Sequence, residues 1–228
     1  MTKMLDNALS VARDLGLQVF PCVEKCDAKG KVSKRPYTKN GFKAATRNEE
    51  QIRKWWRQFP NAMIGVPTGK NAGLIVIDID ESEDKNGEAS FAELGIDEPV
   101  TCQTRTVSGG RHIIFKYPHG HHLRNSASGH LGQHIDIRGE GGYVIWAGSE
   151  TPRGAYAYRE GYSPEEVGFS ELPESLLSIL LNKKGKNHGA KNDFVTIKSG
   201  ARNDTLFKEG VTLVNAGVTE QNVKNHIE

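Results

Sequence analysis

The chain opens on a helical period: Leu5, Leu9, Ala12 and Leu15 recur on one face, and Gly16 is placed to end the helix. LQVFPC then reads as a strand, and the polar, lysine-rich stretch through residue 45 reads as a loop. Thr46 and Glu49 form a capping box for a second helix, in which Ile52, Trp55, Trp56 and Phe59 keep helical spacing. Core packing is the favoured role for both tryptophans, with base stacking as the alternative. AMIGVPTG and GLIVIDID are short apolar runs bounded by Gly and Pro, hence strands, and GEASFAELG is a short helix. TCQTRTVSGGRHIIFKY predicts a hairpin turning at Ser108-Gly109-Gly110, and HIDIRGEGGYVIWA a second hairpin turning at Gly139 to Gly142. Hairpins interleaved with helices, rather than a regular βαβ series, predict an α+β fold on a largely antiparallel or mixed sheet flanked by helices.

The last quarter changes character. LPESLLSILL begins as a helix with Pro173 at an early position, which closes a main domain over residues 1–181. Residues 182–200 have little apolar content and read as a basic, flexible linker. Residues 201–228 return to helical spacing and stop inside the pattern. The expectation is a small helical segment truncated from a longer protein.

Composition narrows the class. At 228 residues, 36% hydrophobic and 25% charged, the chain can bury a sizeable core. No apolar run approaches the roughly 20 residues of a membrane helix, and with an amphipathic N-terminus no signal peptide is expected. A cytoplasmic location is expected. Cys22, Cys26 and Cys102 form no CxxC pair, so reduced cysteines are the reading and no zinc is expected. The net charge is only +2, but Lys25 to Arg35 and Lys183 to Lys191 are basic clusters around an acidic stretch at 78–98. That distribution suits an enzyme that grips phosphates and concentrates metal ions, although solvated loops would show it too.

Candidate chemistry lies on three strands. Alternation in GLIVIDID puts Ile75, Ile77 and Ile79 on one face and Asp78 and Asp80 on the other. Two such carboxylates repel unless a cation offsets them, and hard oxygen donors favour Mg²⁺ or Mn²⁺. By itself the pair is equally compatible with a strand end facing water. Ser108, Gly109 and Gly110 form a turn whose amides suit phosphate, immediately before His112, with Lys116 four residues on along the same face. Asp136 is flanked by Ile135 and Ile137, so it faces away from the apolar side, with His134 and Arg138 beside it.

With these motifs in place, the chain resembles the bifunctional primase-polymerase domain of phage and plasmid replication proteins, in the archaeo-eukaryotic primase superfamily. The matching stretches run in order over roughly residues 8–160: VFP, Lys34-Arg35-Pro36, Gly41 to Thr46, Trp55-Trp56 with Pro60, IGVPTG, GLIVIDID, TVSGGRHIIF, IDIRGEGGYVI and Gly154-Ala155-Tyr156. The resemblance implies a primase-polymerase core with an RRM-like sheet, and template-directed nucleotidyl transfer by two Mg²⁺ or Mn²⁺ ions. It implies Asp78, Asp80 and Asp136 as metal ligands and His112 on the triphosphate, with Ser108, Gly109 and Gly110 nearby. Arg138 and Lys34 match the accompanying basic positions, and Lys116, from its place on the His112 face, is the further nucleotide-binding candidate. Implied partners are single-stranded DNA template, a primer strand, dNTP or NTP, and a helicase domain or protein. Pro67 to Asn71 lacks two residues of a P-loop, so no ATPase is expected within this chain. A nuclease, a DxD glycosyltransferase and a non-catalytic replication module are the rival readings.

Overall fold

The computed structural model describes residues 2–28, 30, 32–126 and 130–181; the expected linker and C-terminal helical segment lie outside the described residues. The first half runs α1 (Lys3–Arg13), β1 (Phe20–Cys26), β2 (Val32–Pro36), a 3-10 turn (Gly41–Ala44), α2 (Glu49–Gln58), β3 (Met63–Pro67) and β4 (Leu74–Ile79). The second half runs β5 (Glu81–Ser82), β6 (Lys85–Asn86), α3 (Gly87–Ala92), β7 (Gln103–Arg105), β8 (Arg111–Lys116), β9 (Ile135–Arg138) and β10 (Tyr143–Ile145). It closes with β11 (Glu150–Thr151), β12 (Gly154–Ala155), β13 (Ala157–Tyr158), α4 (Pro164–Val167) and α5 (Glu174–Leu181).

The expected α+β class is observed, with two principal sheets in place of one. A four-stranded sheet has the order β10-β3-β1-β2 and a five-stranded sheet the order β13-β7-β8-β4-β9, every pairing antiparallel. Strand alternation explains the layers. Leu74, Val76 and Ile114 project from the five-stranded sheet into a core shared with α1, α2 and the Ile64, Val66 and Val144 positions of the other sheet. Ile75, Ile77, Ile79, Ile113, Phe115, Ile135 and Ile137 fill the opposite face against α3 and α5. Ile52 and Trp56 anchor α2; burying such a side chain contributes about 1.5–3 kcal/mol. Trp56 also donates its indole N–H to the Ala62 carbonyl, so it is a core residue and not a base-stacking one.

Three local expectations are corrected. Residues 32–36, read as loop, form β2, because pairing with β1 satisfies a polar backbone that its side chains gave no reason to bury. The cap of α2 is Asn48, whose side chain accepts from the Gln51 amide at 2.9 Å, while Thr46 Oγ1 accepts from Asn48 N–H. Most consequentially, Gly139 to Gly142 is no hairpin turn. β9 pairs with β4 in one sheet and β10 with β3 in the other, so the glycines carry the chain between sheets. Gly141, at φ +84°, makes the bend, and Gly139 passes so close to the Leu123 carbonyl that a Cβ would collide with it.

Candidate active site

Register assembles the cluster. Asp78 of β4 stands opposite His112 of β8 on one side and Asp136 of β9 on the other. Thr104 of β7 continues the same row beyond His112. The alternation that sends the isoleucines into one core therefore turns these side chains toward the other sheet. Three strands adjacent in space, drawn from positions up to 58 residues apart, thus supply one polar row.

Arg138 ties the row together. It lies two residues beyond Asp136 on the same face, and its Nη2 donates to Asp78 Oδ2 and to Asp136 Oδ2, both at 2.8 Å. Its Nε donates to the same Asp78 oxygen at 3.0 Å. On the other side His112 Nε2 stands 3.4 Å from Asp78 Oδ1. Burial alone would raise the Asp78 carboxyl, but His112 and Arg138 outweigh it and hold Asp78 below the usual carboxylate range. Burial also pushes His112 below its ordinary value, against the attraction of Asp78. Of His112 and Arg138, the Arg138 guanidinium is the one whose charge is permanent. His112 Nδ1 and Thr104 Oγ1 are buried with no hydrogen-bond partner on the protein, an arrangement that disfavours folding and is concentrated at functional sites.

Asp80 is held differently. It lies one residue past β4, where its N–H donates to the His134 carbonyl and its own carbonyl accepts from Gly87. His134 adopts φ +60° to present that carbonyl, so it is not the strand-face neighbour of Asp136 that alternation suggested. The Asp80 carboxylate accepts from Lys85 Nζ at 2.6 Å at a half-exposed position. The turn at Ser108, Gly109 and Gly110 reaches the same end of β4: Gly110 packs on the backbone of Ile79 and Glu81. Ser108 Oγ pairs with Thr106 Oγ1 at 3.1 Å, and the Gly109 amide closes the turn on the Thr106 carbonyl.

A cleft of about 240 Å³ opens over Asp78 and His112, bounded also by Lys34, Asn125, Arg138, the stretch Gly141 to Ile145 and Tyr156, whose ring centroid lies 6.2 Å from that of His112. Lys34 comes from β2 in the other sheet; its ammonium lies 5.9 Å from the centroid of the Tyr156 ring. Tyr143 donates its hydroxyl to the Lys34 carbonyl at 2.6 Å and so fixes β2 at the mouth. Asn125, Tyr143 and Tyr156 were not singled out as site residues. Tyr143 and Lys34 are 109 positions apart, and no local spacing announces such a contact. Lys116 is not brought to the cluster. It pairs with Leu74 at the far end of β4 and its ammonium is bonded to Glu171 at 3.0 Å, because four residues along a strand is a displacement of about 13 Å.

Among the described residues, no three His, Cys, Asp or Glu side chains converge as a cage for one ion. The donor chemistry nonetheless fits a divalent cation, since the hard carboxylate oxygens of Asp78, which lines the cleft, and of Asp136 beside it are paired with Arg138, and those of Asp80 with Lys85. Cys22 is buried and Cys26 exposed on the same strand.

Residues 8–175 match the family described as bifunctional DNA primase/polymerase, N-terminal. The chain belongs to the Prim-Pol family. The match spans both sheets, the row Asp136–Asp78–His112 and the cleft. Membership in Prim-Pol points to DNA primase and polymerase activity, a nucleotidyl transfer with DNA and nucleotides as substrates, generally dependent on divalent metal. No curated protein matches this Prim-Pol chain. No helix among its described residues is long and apolar enough to cross a membrane.

Proposed function

We propose that this chain extends a DNA strand on a single-stranded template by a two-metal mechanism, and starts strands as a primase, in replication of a phage, plasmid or other mobile element. The observation that carries the reading is the row of Asp136, Asp78 and His112 across three strands, of which Asp78 and His112 line a cleft also bounded by Lys34 and Arg138. Carboxylates beside fixed cations in a half-enclosed cleft are what transfer of a highly charged phosphoryl group requires.

In the reaction a 3′-hydroxyl loses its proton, its oxygen bonds to the α-phosphorus of a dNTP or NTP, and the bond to pyrophosphate breaks. Asp78, Asp80 and Asp136 would hold two Mg²⁺ or Mn²⁺ ions, which make the hydroxyl more acidic and offset charge on the triphosphate. Lys34 and Arg138 supply fixed positive charge toward the phosphates. His112, kept neutral by burial, offers a ring N–H as a donor without adding charge. The turn at Ser108, Gly109 and Gly110, seated on the end of β4, borders the nucleotide on the Asp80 side. Tyr156, beside the His112 ring, lines the same cleft.

The test is primer extension on a labelled oligonucleotide with Asp78→Ala and Asp136→Ala. Extension should fall by about a hundred- to a thousandfold, the scale expected when a charge-stabilising group is removed, while template binding persists. Undiminished extension by either variant would overturn the assignment. Shortening of the oligonucleotide by the wild type with no dNTP present would favour a nuclease.

A further inference from the structure

We infer that Arg138 is an internal counter-cation that competes with a divalent ion for Asp78 and Asp136, and so sets how tightly the site binds metal. The inference rests on the metal reading above and adds a role for Arg138 beyond phosphate contact.

Directly opposed carboxylates on neighbouring strands repel, and this pair is shielded from water, with 12% and 15% of the side chains exposed. Arg138 answers that repulsion with three hydrogen bonds, two of them converging on Asp78 Oδ2. A guanidinium carries one charge against two carboxylates, so the bridged pair stays net negative, and a divalent ion would neutralise it fully. The oxygens the ion needs are the ones Arg138 already occupies. Asp78 Oδ2 accepts two of its N–H groups, and Asp78 Oδ1 is turned toward His112. Ion and guanidinium therefore exclude one another at Asp78 Oδ2. Displacement is not unduly costly, because Arg138 already lines the cleft with 27% of its side chain exposed. Freed from the aspartates, its planar fork matches a phosphate. Metal entry and nucleotide recognition are thereby coupled through one side chain. Lys85 on Asp80 is a different case, since both partners are exposed enough for the contact to count for little.

The test is Mn²⁺ titration by calorimetry on the full chain without nucleotide, comparing wild type with Arg138→Gln, Arg138→Lys and Asp78→Asn. Arg138→Gln should bind Mn²⁺ about tenfold tighter than wild type, the equivalent of one charge-assisted hydrogen bond no longer broken. Its melting temperature should be lower than wild type without metal and rise more on adding Mn²⁺. Arg138→Lys keeps a charge but lacks the fork, so its affinity should lie between the two. Equal or weaker Mn²⁺ binding by both Arg138 variants would overturn the competition. Should Arg138→Gln fold poorly without metal, Arg138→Lys and the Mn²⁺-induced rise in melting temperature still decide. Wild-type Mn²⁺ affinity in Asp78→Asn would instead remove the metal reading itself, a separate failure.

Discussion

A Cβ on Gly110 would sit 2.1 Å from the Ile79 carbonyl oxygen and 3.0 Å from the Glu81 amide, both backbone atoms that cannot rotate away. The Ser108-Gly109-Gly110 motif suits a flexible phosphate turn by its sequence, and the contact gives its last glycine a second purpose: only hydrogen fits between the turn and the end of β4. Gly110→Ala should therefore cost about 1–3 kcal/mol, as overpacking does, seen as a lower urea midpoint with an unchanged slope. It should also slow primer extension, because the turn is pushed off the Asp80 end of the site. A midpoint equal to wild type would show that the strand end yields freely. Asp78 illustrates the same scale from the other side. Its neighbours in sequence are isoleucines, yet its partners are His112, Asp136 and Arg138, and all of them come from register.

Among the elements, the β7–β8 hairpin and the β9–β10 connection had similar sequence signals and different outcomes. Both pair apolar alternation with a glycine-rich centre. The first closes on itself, Arg105 opposite Arg111. The second does not, because β4 and β3 compete for its two arms and win. The β7–β8 hairpin is also fastened at its edge by Glu98, which accepts hydrogen bonds from Arg111, Arg159 and Gln103, while Glu88 pairs with the other side of Arg111. Burial tends to raise Glu98, but Arg111, Gln103 and Arg159 outweigh it and hold the carboxyl below its usual range. A carboxyl lowered in the folded state adds stability that is fully present above its unfolded pKa, about 4.3, and is lost as pH falls through the folded value. Acid titration of the urea midpoint should thus be less steep below about pH 4.3 in Glu98→Gln than in wild type. Parallel curves would mean that Glu98 contributes no linkage.

On the scale of the whole molecule, the cleft exists because two sheets face each other: one brings Asp78, His112 and Arg138, the other Lys34 and Tyr143. Lys34 touches the row only through the space between them, so its loss should leave the fold intact. Lys34→Ala is expected to raise KM for the incoming nucleotide about tenfold, with a smaller change in kcat, as removal of one charge-assisted phosphate contact does. Steady-state extension kinetics separate the two parameters. A fall in kcat with KM unchanged would place Lys34 away from the ground-state nucleotide.

What the residues alone determined was the alternation of each strand, the two helical stripes of α1 and α2, and the face that carries Asp78, Asp136 and His112. These depend on periods of two and 3.6, which are properties of the backbone itself. The basic candidates were less legible. Lys34 and Arg138 enter the cleft and Lys116 does not, though all three are cations on strands, because distance along a strand and choice of sheet decide which cation arrives. Strand partners, the split into two sheets, the bend at Gly141 and the Arg138 bridge were decided only by tertiary structure. Backbone hydrogen bonds between strands carry no side-chain label, so competition among partners far apart in the chain resolves them.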